Sequence, residues 1–75
     1  MLKIKDNVDL KELEKFGFKE HEDYKDTLTD GKLHIELYDS IYNVPNTRKI
    51  YALSSGYLDS LYDLIQAGLV EKVEE

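Results

Sequence analysis

Cysteine and tryptophan are absent from these 75 residues, which hold one proline and four glycines. Without cysteine no disulfide can close a loop, and two histidines alone cannot supply an ordinary structural zinc site. The fold must rest on its core or on a partner subunit, and a chain of this length buries only roughly 60% of the surface its unfolded form exposes. A reducing cytosol suits the lack of cysteine. Long apolar runs are missing too: Met1-Leu2-Lys3-Ile4-Lys5 is interrupted by lysines, and nothing reaches the length of a signal h-region or a membrane span. The expectation is a single soluble domain over 1–75, cytoplasmic, without membrane contact.

Basic charge is scarce, ten lysines and arginines against sixteen acidic residues, for a net charge of −6. Seven acidic residues between Glu20 and Asp39 are accompanied only by Lys25 and Lys32, and five from Tyr57 onwards only by Lys72. Arg48-Lys49 is the one adjacent basic pair. Phosphate binding needs clustered cations, so direct nucleic-acid contact is not expected. The plain reading of the acidity is a solvated, soluble face.

What is present organises itself around Asp30-Gly31, a dipeptide that favours a two-residue type I′ hairpin turn. With that turn, facing residues pair Leu28 with Leu33, Asp26 with Ile35 and Tyr24 with Leu37 on one face. The other face pairs Thr27 with His34, Lys25 with Glu36 and Asp23 with Tyr38. The first face is apolar apart from Asp26, and the second carries the opposite-charge pair Lys25 and Glu36 across the ladder. A one-residue slip would mix the faces.

The flanks are well punctuated. Leu2 and Ile4 alternate with lysines as in a short edge strand. Asp9 as N-cap, Glu12 closing a capping box and Val8 with Leu13 as a staple open a first helix, which Gly17 ends with Phe18 folding back on Leu13. Tyr42-Asn43-Val44-Pro45-Asn46-Thr47 reads as loop, and Arg48 to Leu53 as a third strand with Ile50 and Ala52 on one side and Lys49, Tyr51 and Leu53 on the other. Ser54 or Ser55 suits the cap of a second helix, whose stripe Leu58, Leu61, Leu64 and Ile65 should cover the Leu33, Ile35, Leu37 face. Gly68 stops it, Val70 to Val73 suits a last short strand, and Glu74-Glu75 should fray. The two helix ends align at an offset of fifty-one residues because both use the same glycine stop; a repeat architecture needs at least three units. The fold expected is α+β: a three-stranded antiparallel meander with two short helices on one face and short terminal strands.

The opening M-L-K-I-K-D-N-V-D-L-K-E-L-E-K-F-G-F-K, the tyrosine-rich strands and the closing L-Y-D-L-I-Q-A-G-L-V-E-K-V resemble small proteins of phages and prophages of Gram-positive bacteria. That group has no agreed activity, so no residue role follows from it. The resemblance implies a setting, an accessory protein acting in the host cytoplasm on another protein.

Chemistry-bearing constellations are few. His21 and His34 would lie about 20 Å apart along their strands, too far to share a metal, and no cofactor is expected. Glu20, Glu22, Asp23 and Asp26 are close in sequence, but acid and base work needs two carboxyls in a cleft. There is no G-x-S-x-G, no phosphate-cradling loop and no cysteine nucleophile, so no catalytic residue is assigned. L-I-Q-A-G-L-V-E-K-V resembles a recognition helix entering a wing, yet that helix offers Asp59 and Asp63 and no cation to DNA. Six tyrosines remain, of which Tyr24 should fill the core and Tyr38 should lie on the polar face beside Asp23 and Glu36; tyrosine serves both as sheet former and as interface residue. The sequence therefore points to a non-enzymatic interaction protein that binds a host or phage protein through Asp23, Glu36, Tyr38 and Tyr42. In a sharper form it is an acidic nucleic-acid mimic that inhibits a basic partner. The alternatives are a homo-oligomeric phage assembly subunit and a winged-helix-like nucleic-acid binder; a homodimer through an edge strand is compatible with the small core.

Overall fold

A computed structural model describes residues 1–73. Strands β1 (Leu2–Ile4), β2 (Lys19–Glu20), β3 (Thr27–Thr29), β4 (Leu33–Asp39), β5 (Val44–Ala52) and β6 (Val70–Lys72) form one antiparallel sheet in the order β2-β3-β4-β5-β1-β6. A 3₁₀ helix (Leu10–Phe16) and the helix α1 (Tyr57–Gln66) accompany it. The α+β character stands, but the expected three-stranded meander is corrected to six strands.

The glycine stops explain part of the difference. Gly17 at φ 86° and Gly68 at φ 75° take the left-handed conformation that costs a side-chain-bearing residue more. Around them Phe18 N donates to Leu13 O at 3.2 Å and Leu69 N to Leu64 O at 3.1 Å, the closure expected of a Schellman stop. Each stop turns the chain directly into a short strand, and these strands, β2 and β6, are the two edges of the sheet. β1, expected at an edge, instead lies between β5 and β6, with Lys3 opposite Lys49 on one side and Glu71 on the other.

The central hairpin folds back where expected but two residues out of register. Leu28 faces Ile35, Thr27 faces Glu36 and Thr29 faces His34. Of Asp30 and Gly31 only the glycine has positive φ, 91°, so the turn is not type I′. The Asp30 carboxylate governs it, accepting from Lys32 N at 2.8 Å and Leu33 N at 2.9 Å. A slip of two preserves side-chain parity. Leu33 and Ile35 are accordingly buried, at 1% and 0% exposure, while Thr27, Thr29, His34 and Glu36 share the other face. The Lys25–Glu36 pair does not form, and Glu36 sits between Thr27 and Lys49.

Residues 21–26 are a loop rather than strand. His21 N donates to Thr27 O at 2.8 Å and closes a second hairpin between β2 and β3, with Asp26 at φ 57°. Tyr24, expected in the core, rides this loop and is 61% exposed. β5 starts earlier than expected and takes in Pro45. The proline faces Tyr38 just before a bulge, where Asn46 and Arg48 have positive φ and the register with β4 shifts. A missing N–H is tolerated at such a place.

Ile4, Leu13, Phe18, Leu33, Ile35 and Leu64 make the core on one side of the sheet, where α1 packs on β4 and on the 3₁₀ helix. The first helix is 3₁₀ in type, and Asp9 caps it through Lys11 N at 3.0 Å. Glu12 does not reach back to the cap but pairs with Lys15 at 3.2 Å. α1 has Gly56 at its N-cap without a side-chain bond, so neither Ser54 nor Ser55 caps it with its hydroxyl. Of its expected stripe only Leu64 is fully buried, and Leu58 and Ile65 are 61% and 48% exposed. Arg48 turns inward at 7% exposure, its Nη1 donating to Lys5 O at 2.9 Å and Val8 O at 2.7 Å. The expected fraying of Glu74-Glu75 falls outside the described residues.

Candidate binding surface

The two helices lie on one side of the sheet, so the opposite face of β3, β4 and β5 is uncovered. Alternation along the strands decides what it shows. Thr27, Glu36, Lys49, Lys3 and Glu71 follow one another across five strands, and His34 stands between Thr29 and Tyr51 in the next row. The first row holds two carboxylates and two ammonium groups, so this face is polar without being uniformly acidic. Other carboxylates are spread over the helices at Glu12, Glu14, Asp59 and Asp63, over strands β2 and β4 at Glu20 and Asp39, and over the loops.

Where the 21–26 loop folds over β3 and β4 the face becomes concave. Asp23, Tyr24, His34, Glu36, Tyr38 and Tyr51 line a shallow hollow of about 470 Å³. Its aromatic edge is built by three rings in edge-to-face contact: His21 to Tyr24 at 4.7 Å, His21 to His34 at 5.0 Å and Tyr24 to His34 at 6.1 Å between centroids. Edge-to-face packing matches the positive rim of one ring to the negative face of another. His21 also holds the loop: its Nδ1 accepts from Asp23 N at 3.0 Å and Tyr24 N at 3.2 Å, which places the proton of the neutral ring on Nε2.

Titratable groups feel this enclosure. Burial, reinforced by the neighbouring His21, lowers the His34 imidazole below its usual range. His34 Nε2 is buried without a hydrogen-bond partner, which leaves one polar atom of the hollow's lining to be satisfied. Burial, together with the Glu36 and Asp39 carboxylates, raises the Tyr51 hydroxyl. Glu36 is partly spoken for, since Thr47 Oγ1 donates to its Oε1 at 3.1 Å.

Of the four residues expected to bind, the structure brings Asp23, Glu36 and Tyr38 into this one hollow. Tyr42 is elsewhere, 77% exposed beside Ile41 in the β4–β5 turn, where Asp39 Oδ1 accepts from Ile41 N and Tyr42 N. Tyr38 donates its hydroxyl to Asn43 Oδ1 at the base of that turn. Sequence reasoning missed Tyr24, His34 and Tyr51. The β5 alternation already set Tyr51 apart from Ile50, and the 34–51 pairing would have joined it to His34; Tyr24 carried no such signal, because a loop rather than a strand positions it.

The separation of about 20 Å expected between the histidines is also corrected, because residues 21–26 double back instead of extending. Proximity does not make a metal centre, however. Among the described residues no three His, Asp or Glu side chains converge as ligands, and His21 Nδ1 is engaged by two backbone N–H groups. A second and larger groove, about 600 Å³, runs on the helix side between the 3₁₀ helix and β2–β4, lined by the buried Phe18 and the partly buried Leu10, Leu28 and Leu37. Among the described residues no helix is long and apolar enough to cross a membrane. The chain matches no protein-family model, no curated protein and no solved structure.

Proposed function

We propose that this protein is a non-enzymatic binding module that docks another protein on the uncovered face of its sheet. Tyr24, Tyr38 and Tyr51 are its anchors, and Asp23, His34 and Glu36 supply the polar contacts. The observation that supports this reading is the concentration of three partly exposed tyrosines, at 61%, 36% and 38%, around one concavity on a face that the protein itself leaves open. Tyrosines combine large apolar area with a polar tip and lose little side-chain entropy on binding, which is why they recur at the centres of interfaces. The lysines interleaved with Glu36 and Glu71 favour recognition by shape and aromatic contact over imitation of a phosphate backbone. The resemblance to phage proteins adds a place to look, the cytoplasmic proteins of a Gram-positive host.

The test is affinity capture from such a lysate, with wild type compared with Tyr51→Ser, Tyr38→Ser and the double variant. Expected is a protein retained by wild type, lost by the double variant, and held with little change as salt rises. Capture that is equal for all variants would place the contact elsewhere. Retention that collapses in salt would restore the charge-mimic reading.

A further inference from the structure

Three turns of this protein are closed by the same device, a side chain that accepts from the backbone N–H groups two and three residues further on. Asp30 Oδ1 does so for Lys32 and Leu33, and Asp39 Oδ1 for Ile41 and Tyr42. In the 21–26 loop the acceptor is His21 Nδ1, which takes Asp23 N at 3.0 Å and Tyr24 N at 3.2 Å. The geometry is shared and the chemistry is not. A carboxylate goes on accepting down to about pH 4, whereas an imidazole ordinarily gains a proton near about pH 6.5, and both its nitrogens then donate. The ends of the loop are pinned by bonds that need no imidazole, His21 N to Thr27 O and Leu37 N to Asp26 O, both at 2.8 Å. Between them, among the described residues, only a bond from Thr27 Oγ1 to Lys25 O at 3.3 Å adds to the two that His21 Nδ1 accepts. The Tyr24 ring rides this stretch, packs edge-to-face on His21 and His34, and walls the tyrosine-lined hollow.

We propose that the 21–26 loop is a proton-operated cover on this hollow: protonation of His21 at Nδ1 releases the Asp23 and Tyr24 amides, and Tyr24 leaves the face. The loop is closed while the imidazole is neutral and opens as pH falls. The groups around His21 act in the same direction. Lys19 and Glu20 on β2 flank it, and Glu22, Asp23, Lys25 and Asp26 surround it within the loop. β3 brings only the uncharged Thr27 and Thr29 to this space, and β4 brings His34, 5.0 Å away between ring centroids. An imidazolium therefore has four carboxylates to turn to in place of the amides. The closed packing also resists charge on His34, which burial first and His21 second hold below its usual range. As a control on docking the device rests on the face proposed above, and it predicts that a partner held through Tyr24 leaves in mild acid. As a loop movement it belongs to the free protein.

Backbone ¹⁵N relaxation of the full chain, without any partner, between about pH 7.5 and about pH 5 tests this. Expected are Asp23 and Tyr24 amides that are ordered at the upper end and fall to order parameters below about 0.6 at the lower, while the Lys32, Leu33, Ile41 and Tyr42 amides of the two aspartate-closed turns do not change. His21→Asn, whose side-chain oxygen accepts in place of Nδ1 and takes up no proton, should keep the loop ordered over the whole range. His21→Ala should be mobile already at about pH 7.5. A wild-type loop equally ordered at both ends of the range would overturn the proposal, as would a His21→Asn loop that loosens in acid, a His21→Ala loop as ordered as wild type, or loosening shared by the aspartate-closed turns. Failure here leaves the docking face standing, and failure of the capture experiment above leaves the loop movement standing.

Discussion

Replacing Asp30 with alanine removes three hydrogen bonds at once. The carboxylate accepts from Lys32 N at 2.8 Å and Leu33 N at 2.9 Å, which shapes the β3–β4 turn, and from the Ser60 hydroxyl, which ties that turn to α1. A hydrogen bond to a charged group contributes about 1.5–3 kcal/mol. The Lys32 amide is exposed and recovers water, so the partly buried Leu33 amide and Ser60 hydroxyl carry most of the loss, and the sum is about 2–4 kcal/mol. In a domain of this size that lowers Tm by about 10–30 °C. Asp30→Asn keeps an acceptor and should lose about half as much. Urea unfolding followed by circular dichroism measures these losses, and a double-mutant cycle with Ser60→Ala should return a coupling of about 1 kcal/mol. The pH dependence has a definite sign. Partial burial raises the Asp30 pKa, but acceptance from Ser60, Leu33 and Lys32 outweighs it and holds the carboxyl below its ordinary 3.8. Its contribution is therefore present above that value and lost as pH falls through the lowered one, so wild type and Asp30→Ala should converge in acid. A loss under about 0.5 kcal/mol, or a Ser60→Ala cost that is the same with and without Asp30, would refute this account of the turn.

Arg48→Met should cost about 3 kcal/mol in urea unfolding, because the Lys5 and Val8 carbonyls lose their shared donor. Gly17→Ala should cost about 1 kcal/mol through its φ of 86° alone, since a Cβ there meets nothing within 4 Å. The His34 imidazole is lowered in the folded state, so the unfolded chain binds its proton more readily. Stability should then decline as pH drops below about 6.5, and thermal melts of His34→Gln should be flatter than wild type between about pH 7.5 and 5. Melts with identical pH profiles would show that His34 does not set that slope.

Side-chain parity was legible in the sequence and chain path was not. Leu28, Leu33 and Ile35 announce a one-sided sheet by alternation, and a two-residue slip leaves that pattern intact, which is why the faces were right while the pairs were wrong. Gly17 and Gly68 were readable as stops because each is followed by an apolar residue able to fold back. Of the strands after them, β6 was readable at Val70 to Val73, whereas the two-residue β2 is too short to leave a periodic trace. Residues 21–26 misled because His21 accepts two backbone N–H groups in place of a ladder, and nothing local distinguishes that histidine from one on a strand. Arg48 read as a surface cation, and only its position opposite the Lys5–Val8 turn makes it an interior donor. The same limits apply to the site: the polar-face residues Glu36 and Tyr38 followed from alternation, whereas Tyr24, and with it the concavity, depends on where the six-residue loop 21–26 folds.

The open, tyrosine-lined face is tested most directly by fluorine NMR of the protein carrying 3-fluorotyrosine, before and after addition of the captured partner. The signals of Tyr24, Tyr38 and Tyr51 are expected to shift or broaden together while that of Tyr42 stays in place. Perturbation confined to Tyr42, or to Tyr57 and Tyr62 on the helix side, would contradict the assignment of this face as the docking surface.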